Sequence, residues 1–178
     1  ANVVVFGGAS SMNMPSGTWL WDGTWKKPAL ATQPTRRTYA AMAYDEVHGK
    51  VLLYGGANAF SRSLGDTWTW DGQGWKEETP SVSPGPRTGA NLAFDRKRGK
   101  LVLFGGDDLV GTFPSDTFMW DGAVGNWVKI ATTHSPPGRA YGGFAYDPGT
   151  EKSYSVGGIG SSGTAKVETW AFDGTDWT

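Results

Sequence analysis

A segment ending in Gly-Gly recurs four times along the chain, and it constrains the fold more than any other feature of the 178 residues. VVVFGG (Val3 to Gly8) returns as VLLYGG (Val51 to Gly56), as LVLFGG (Leu101 to Gly106) and, weakened, as SYSVGG (Ser153 to Gly158). The first glycines, Gly7, Gly55, Gly105 and Gly157, lie 48, 50 and 52 residues apart. A second block keeps phase: TWLWDG from Thr18, TWTWDG from Thr67, TFMWDG from Thr117 and TWAFDG from Thr169. A lone Trp follows each, at Trp25, Trp75, Trp127 and Trp177. A third block appears three times: RTYAAMAYD from Arg37, RTGANLAFD from Arg87 and RAYGGFAYD from Arg139. A period near fifty residues marks a repeat architecture in which no unit buries its apolar faces alone and neighbours supply the core.

Each block reads as a strand. The VLLY runs are short, continuously apolar and bounded by glycines, which suits a strand covered on both faces; a helix needs ten or more residues. In TWTWDG, Trp68 and Trp70 share one face while Thr67 and Thr69 share the other. Asp-Gly then turns into a last short strand near Trp75. The Arg-led block is crowded with small residues (Ala40, Ala41 and Ala43; Gly89 and Ala90; Gly142 and Gly143), which predicts close approach of neighbouring sheets. No segment shows helical periodicity. The expectation is an all-β protein: a β-propeller of four-stranded antiparallel blades, about four of them, in an open or incomplete ring. The Arg-led strand is innermost and the Trp strands fill the space between diverging blades. One propeller region covers 1–178, with repeats near 1–35 (partial), 36–85, 86–137 and 138–178.

Composition excludes several function classes. Lys plus Arg (16) nearly cancels Asp plus Glu (17), so no basic field exists to neutralise nucleic-acid phosphates. With no Cys, a disulfide framework, thiolate-bound zinc and thiol nucleophiles are absent. No apolar run approaches the ~20 residues of a membrane span. No Gly-x-Ser-x-Gly elbow, phosphate-binding loop or zinc-ligand pattern occurs, and no cofactor is expected.

The paired glycines, the Trp strand ending in Asp-Gly, the lone Trp that follows and the Arg-led inner strand resemble kelch repeats, over essentially the whole chain. The run RTYAAMAYDEVHGKVLLYGG with DTWTWDGQGW resembles kelch-repeat proteins of bacterial genomes, which implies an extracellular or cell-surface location. The resemblance implies a scaffold that serves many tasks, and a full ring of six or seven blades. Here the first repeat lacks its Arg-led strand. Two explanations stay open: the remainder of a longer propeller chain completes the ring, or copies of the chain complete one another as a homo-oligomer. A copper–radical oxidase of the galactose oxidase type is excluded, because that relative needs a Cys–Tyr crosslink.

Repetition also sorts the candidate functional residues. Features present in every repeat belong to the scaffold: Asp22, Asp71, Asp121 and Asp173 shape equivalent turns, and the Trp set fills the core. Arg37, Arg87 and Arg139 open the inner strand and have two readings. They pair with Asp66, Asp116 and Glu168, or they converge as an anion-binding ring. In the second reading Arg36 and Arg62 add to it, and the resemblance to kelch adaptors of ubiquitin ligases implies contact with an acidic peptide. The loops after Gly-Gly differ freely, and variable loops on a rigid scaffold are where binding concentrates. Met12, Met14, Phe60, Leu109 and Phe113 form a candidate apolar patch there. Asp107 and Asp108 are an unrepeated acidic pair, too few for calcium, which takes six to eight oxygens. His48 and His134 read as solvated. The leading expectation is a non-catalytic module binding a protein or peptide; carbohydrate binding through exposed aromatics is the first alternative, and a kelch-fold enzyme acting on sugars the second.

Overall fold

The computed structural model describes residues 3–9 and 17–178; Met12 and Met14 lie outside them. The chain forms four antiparallel sheets, and no helix occurs among the described residues. The first sheet is β1 (Val3–Phe6), β2 (Thr18–Trp21) and β3 (Trp25–Lys26). The second is β4 (Ala41–Asp45), β5 (Lys50–Tyr54), β6 (Thr67–Trp70) and β7 (Trp75–Glu78). The third repeats it with β8 (Asn91–Asp95), β9 (Lys100–Phe104), β10 (Thr117–Asp121) and β11 (Asn126–Ile130). The fourth is β12 (Gly143–Asp147), β13 (Lys152–Val156) and β14 (Thr169–Phe172), with Trp177 bridging back to Phe172. Every sheet is a simple meander. The small-residue strands β4, β8 and β12 are neighbours in space and so form the inner edge, as their composition predicts. The sheets do not close into a ring.

Two repeated contacts fasten each blade to the next. The second glycine of each pair donates its N–H to the carbonyl of the following blade's arginine: Gly8 to Arg37 (3.1 Å), Gly56 to Arg87 (2.9 Å) and Gly106 to Arg139 (2.9 Å). The lone Trp reaches back to the preceding blade's Thr. The indole N–H of Trp75 donates to Thr18 (2.7 Å), that of Trp127 to Thr67 (3.0 Å) and that of Trp177 to Thr117 (2.9 Å). Each Trp thus fills the inter-blade space with its ring and satisfies its one polar atom in the same place.

Apolar side chains pack between blades. Phe6, Leu53, Trp68, Trp70 and Trp75 fill the first junction, Leu52, Tyr54, Leu103, Trp120 and Trp127 the second, and Val102, Phe104, Met119, Phe172 and Trp177 the third. The same positions at the outer faces are open. Val3, Trp19, Trp21 and Trp25 are exposed on the first sheet, and Val156 and Thr169 on the last.

A hairpin on the face opposite the variable loops corrects the reading of His48, which is half-buried, while His134 is exposed as expected. His48 Nδ1 lies 2.7 Å from the buried Asp45 carboxylate, and His134 Nδ1 lies 2.8 Å from Asp176. His48 occupies a repeated position: Arg98 holds Asp95 and Thr150 holds Asp147 in the equivalent turns. The third residue after the aspartate caps it, whatever its type.

Candidate functional site

The three arginines begin the inner strands but do not form an exposed ring. Arg37, Arg87 and Arg139 are all buried, and each donates to the carbonyl of the first glycine in its own blade: Gly55 (2.9 Å), Gly105 (3.0 Å) and Gly157 (3.2 Å). Each also meets the acid expected from the sequence. Arg37 grips Asp66 through both nitrogens at 2.6 and 2.7 Å, Arg87 lies 2.7 Å from Asp116, and Arg139 is a looser 3.4 Å from Glu168. Burial would push the Asp66 carboxyl up, but the hydrogen bonds and charge of Arg37 outweigh it and hold the group below its ordinary value. These guanidiniums pin the loop after Gly-Gly to the start of the inner strand and so shape the face that carries those loops.

Two tyrosines occupy that face. Tyr39 and Tyr141, two residues after Arg37 and Arg139, sit at φ of 54° and 61°, a left-handed conformation in which a bulky residue is strained. Their counterpart in the third blade is Gly89, at φ 60°. Backbone bonds thread the three together: Gly89 N–H donates to Tyr39 O and Tyr141 N–H to Gly89 O, both 2.9 Å. A Cβ on Gly89 would fall 2.4 Å from the Tyr141 ring. The missing side chain lets Tyr141 reach across the third blade to Tyr39, where the rings meet edge to face at 5.2 Å. Tyr39 remains 62% exposed. Burial, reinforced by the nearby Asp107 charge, pushes the Tyr141 phenol up.

The post-Gly-Gly loops flank this pair, because Ala57 and Asp107 are bridged to Thr38 and Thr88, one residue from the tyrosine and glycine. Asp107 and Asp108 are spent on their own loop: Asp107 accepts from the Leu109 N–H, and Asp108 accepts from those of Val110 and Thr112. Asn58 does the same for Phe60 and Arg62. Phe60 is 82% exposed, Arg36 and Arg62 are exposed, and Phe113 is half-buried. Between the loops of the second and third blades lies a groove of about 570 Å³, lined by Arg62, Pro84, Pro86, Leu109, Val110 and Pro114 among others. The Ser63 hydroxyl donates to Asp108 O across it (2.8 Å) and couples the two loops.

The family model of the KLHDC2/KLHL20/DRC7 kelch-repeats domain matches residues 1–178. The chain belongs to the kelch-repeat family. Kelch-repeat domains are in general protein-interaction modules. No curated protein matches this kelch chain. Its tyrosine pair was open to discovery in the sequence, since the Arg-led blocks read RTY, RTG and RAY, but nothing in the spacing says that the first and third meet across the second. No helix among the described residues is long and apolar enough to cross a membrane.

Proposed function

We propose that this kelch domain binds a protein or peptide segment, without catalysis, on the face that carries its post-Gly-Gly loops, with Tyr39 and Tyr141 as the anchor. The observation that carries the reading is the pair itself: two large side chains kept in a strained backbone conformation and left exposed at the inner edge. Strain of this kind costs about 1–3 kcal/mol per residue and concentrates at functional sites. Tyr is also among the side chains that dominate binding energy at protein interfaces. The apolar groove beside it, with Arg62 at its wall, offers a neighbouring slot for an extended segment.

The chain contains its own control. The third blade tolerates Gly at this position, so Tyr39→Gly with Tyr141→Gly removes both rings and their strain while leaving a backbone already proven in Gly89. Thermal unfolding is expected to stay within about 1 kcal/mol of wild type, since relief of strain offsets the added chain entropy of Gly. Peptides selected from a displayed library on the wild-type chain are expected to bind the double variant at least tenfold more weakly. Unchanged affinity in a variant that still folds would sink the proposal.

A further inference from the structure

The repeats also identify a second, unassigned site on the opposite face. At the first junction the residue two after the Trp-block threonine is Leu20, and at the third it is Met119. Both belong to apolar packing: Leu20 lies against the Trp70 and Trp75 cluster, and Met119 lies in the Trp177 cluster. In the second blade the same position is Thr69, which is buried, and its neighbours on β7 are Lys76 and Glu78 where the third blade has Val128 and Ile130. The Thr69 hydroxyl donates to Glu78 (2.8 Å) and Lys76 holds the other oxygen (2.6 Å). Burial would raise the Glu78 carboxyl; the bonds from Lys76 and Thr69 outweigh it and keep it ionised. The second junction keeps its apolar core but carries a polar cluster at its edge, where the residue equivalent to Thr69 at the other two junctions is apolar. Departures from the local rule of this kind are expected where function overrides stability.

The cluster lines a cavity of about 350 Å³ between the second and third blades, formed by Asp45, His48, Lys50, Thr69, Lys76 and Glu78 over a floor of Leu52 and Trp120. Lys100, the counterpart of Lys50 in the next blade, pairs with Asp121; Lys50 has no ion-pair partner among the described residues. Two ammoniums balance two carboxylates, so the lining has no net preference for an ion. Hydroxyl groups donate to carboxylates and accept from ammoniums equally well. The volume lies at the small end of ligand sites, which begin near 300 Å³, and suits one sugar ring rather than a chain.

We infer that this cavity binds a single neutral, hydroxyl-rich molecule of monosaccharide size, independently of the loop face. The test is calorimetric titration of the intact chain with glucose, galactose, mannose and, as a contrast, inorganic phosphate. At least one hexose is expected to bind saturably. Thr69→Met, Lys76→Val and Glu78→Ile together install the third blade's residues. That variant is expected to melt higher than wild type, because it fills a cavity, and to bind the hexose at least tenfold more weakly. Lys50→Met, which disturbs no ion pair, is expected to weaken binding at least fivefold, and Tyr39→Gly with Tyr141→Gly to leave it unchanged. Absence of binding by every hexose overturns the inference, as does equal binding by the triple variant or a preference for phosphate over every hexose.

Discussion

Gly105→Ala is expected to destabilise the chain by about 4 kcal/mol, enough to unfold a marginal domain. Gly105 sits at φ 69°, and a Cβ there would fall 2.3 Å from the carbonyl oxygen of Arg139 in the next blade. The left-handed conformation costs an L-residue about 1–2 kcal/mol, and forcing the blades apart adds roughly the 1–3 kcal/mol of an overpacked core. Gly7 and Gly55 stand in the same relation to Arg37 and Arg87, each at 2.4 Å. Gly157 separates the two contributions. It has nearly the same φ, 67°, but its nearest neighbour, Lys166 O, is 3.5 Å away. Gly157→Ala is therefore expected to cost only the conformational part, about 1–2 kcal/mol. Urea unfolding of the two variants side by side measures the difference, and equal losses would show that the next blade's carbonyl is not what demands glycine.

The second large effect is expected at Arg37. Its side chain is 1% exposed and donates to Thr35 O (3.0 Å), Thr35 Oγ1 (3.1 Å), Gly55 O (2.9 Å) and both Asp66 oxygens. Arg37→Ala removes every one of these at once and leaves Asp66 without its cation, a change that typically costs about 3–5 kcal/mol. Arg37→Lys is expected to recover less than half, because an ammonium cannot form the two-pronged bond. Arg139→Ala is expected to cost less than Arg37→Ala, since its bond to Glu168 is longer and its Nη2 is buried without a partner. The pH dependence follows from the lowered Asp66 carboxyl. A group whose folded value is depressed stabilises fully above its unfolded value, near 3.9, and that stability is lost as pH falls through the folded value. Wild type should lose urea resistance below about pH 4, and Arg37→Ala should lose less over the same interval.

The fold was largely legible before the structure, for a physical reason: the repeats restate one strand pattern, with Gly-Gly and the Trp block recurring four times and the Arg-led block three times. The arginine partners Asp66, Asp116 and Glu168 were legible too, because they recur one position ahead of the Trp block. Contacts between residues of different repeats were not. Tyr39 meets Tyr141 only because Gly89 is small, and His48 is drawn onto Asp45 by a hairpin cap that Arg98 fills elsewhere. The guanidiniums pointed to an anion site by their chemistry, but burial and pairing are properties of packing that composition does not reveal. What repetition did expose was its own exceptions, and the Thr69, Lys76 and Glu78 cluster is legible as one once the blades are aligned.

The most direct test of the loop-face reading is amide hydrogen exchange on the intact chain with and without a peptide selected against it. Protection is expected at residues 57–64 and 107–114 and around Tyr39 and Tyr141, with the opposite hairpins at 46–49, 96–99 and 121–125 unchanged. Protection of those hairpins, with the loops and the tyrosines unaffected, would place binding on the wrong face and contradict it.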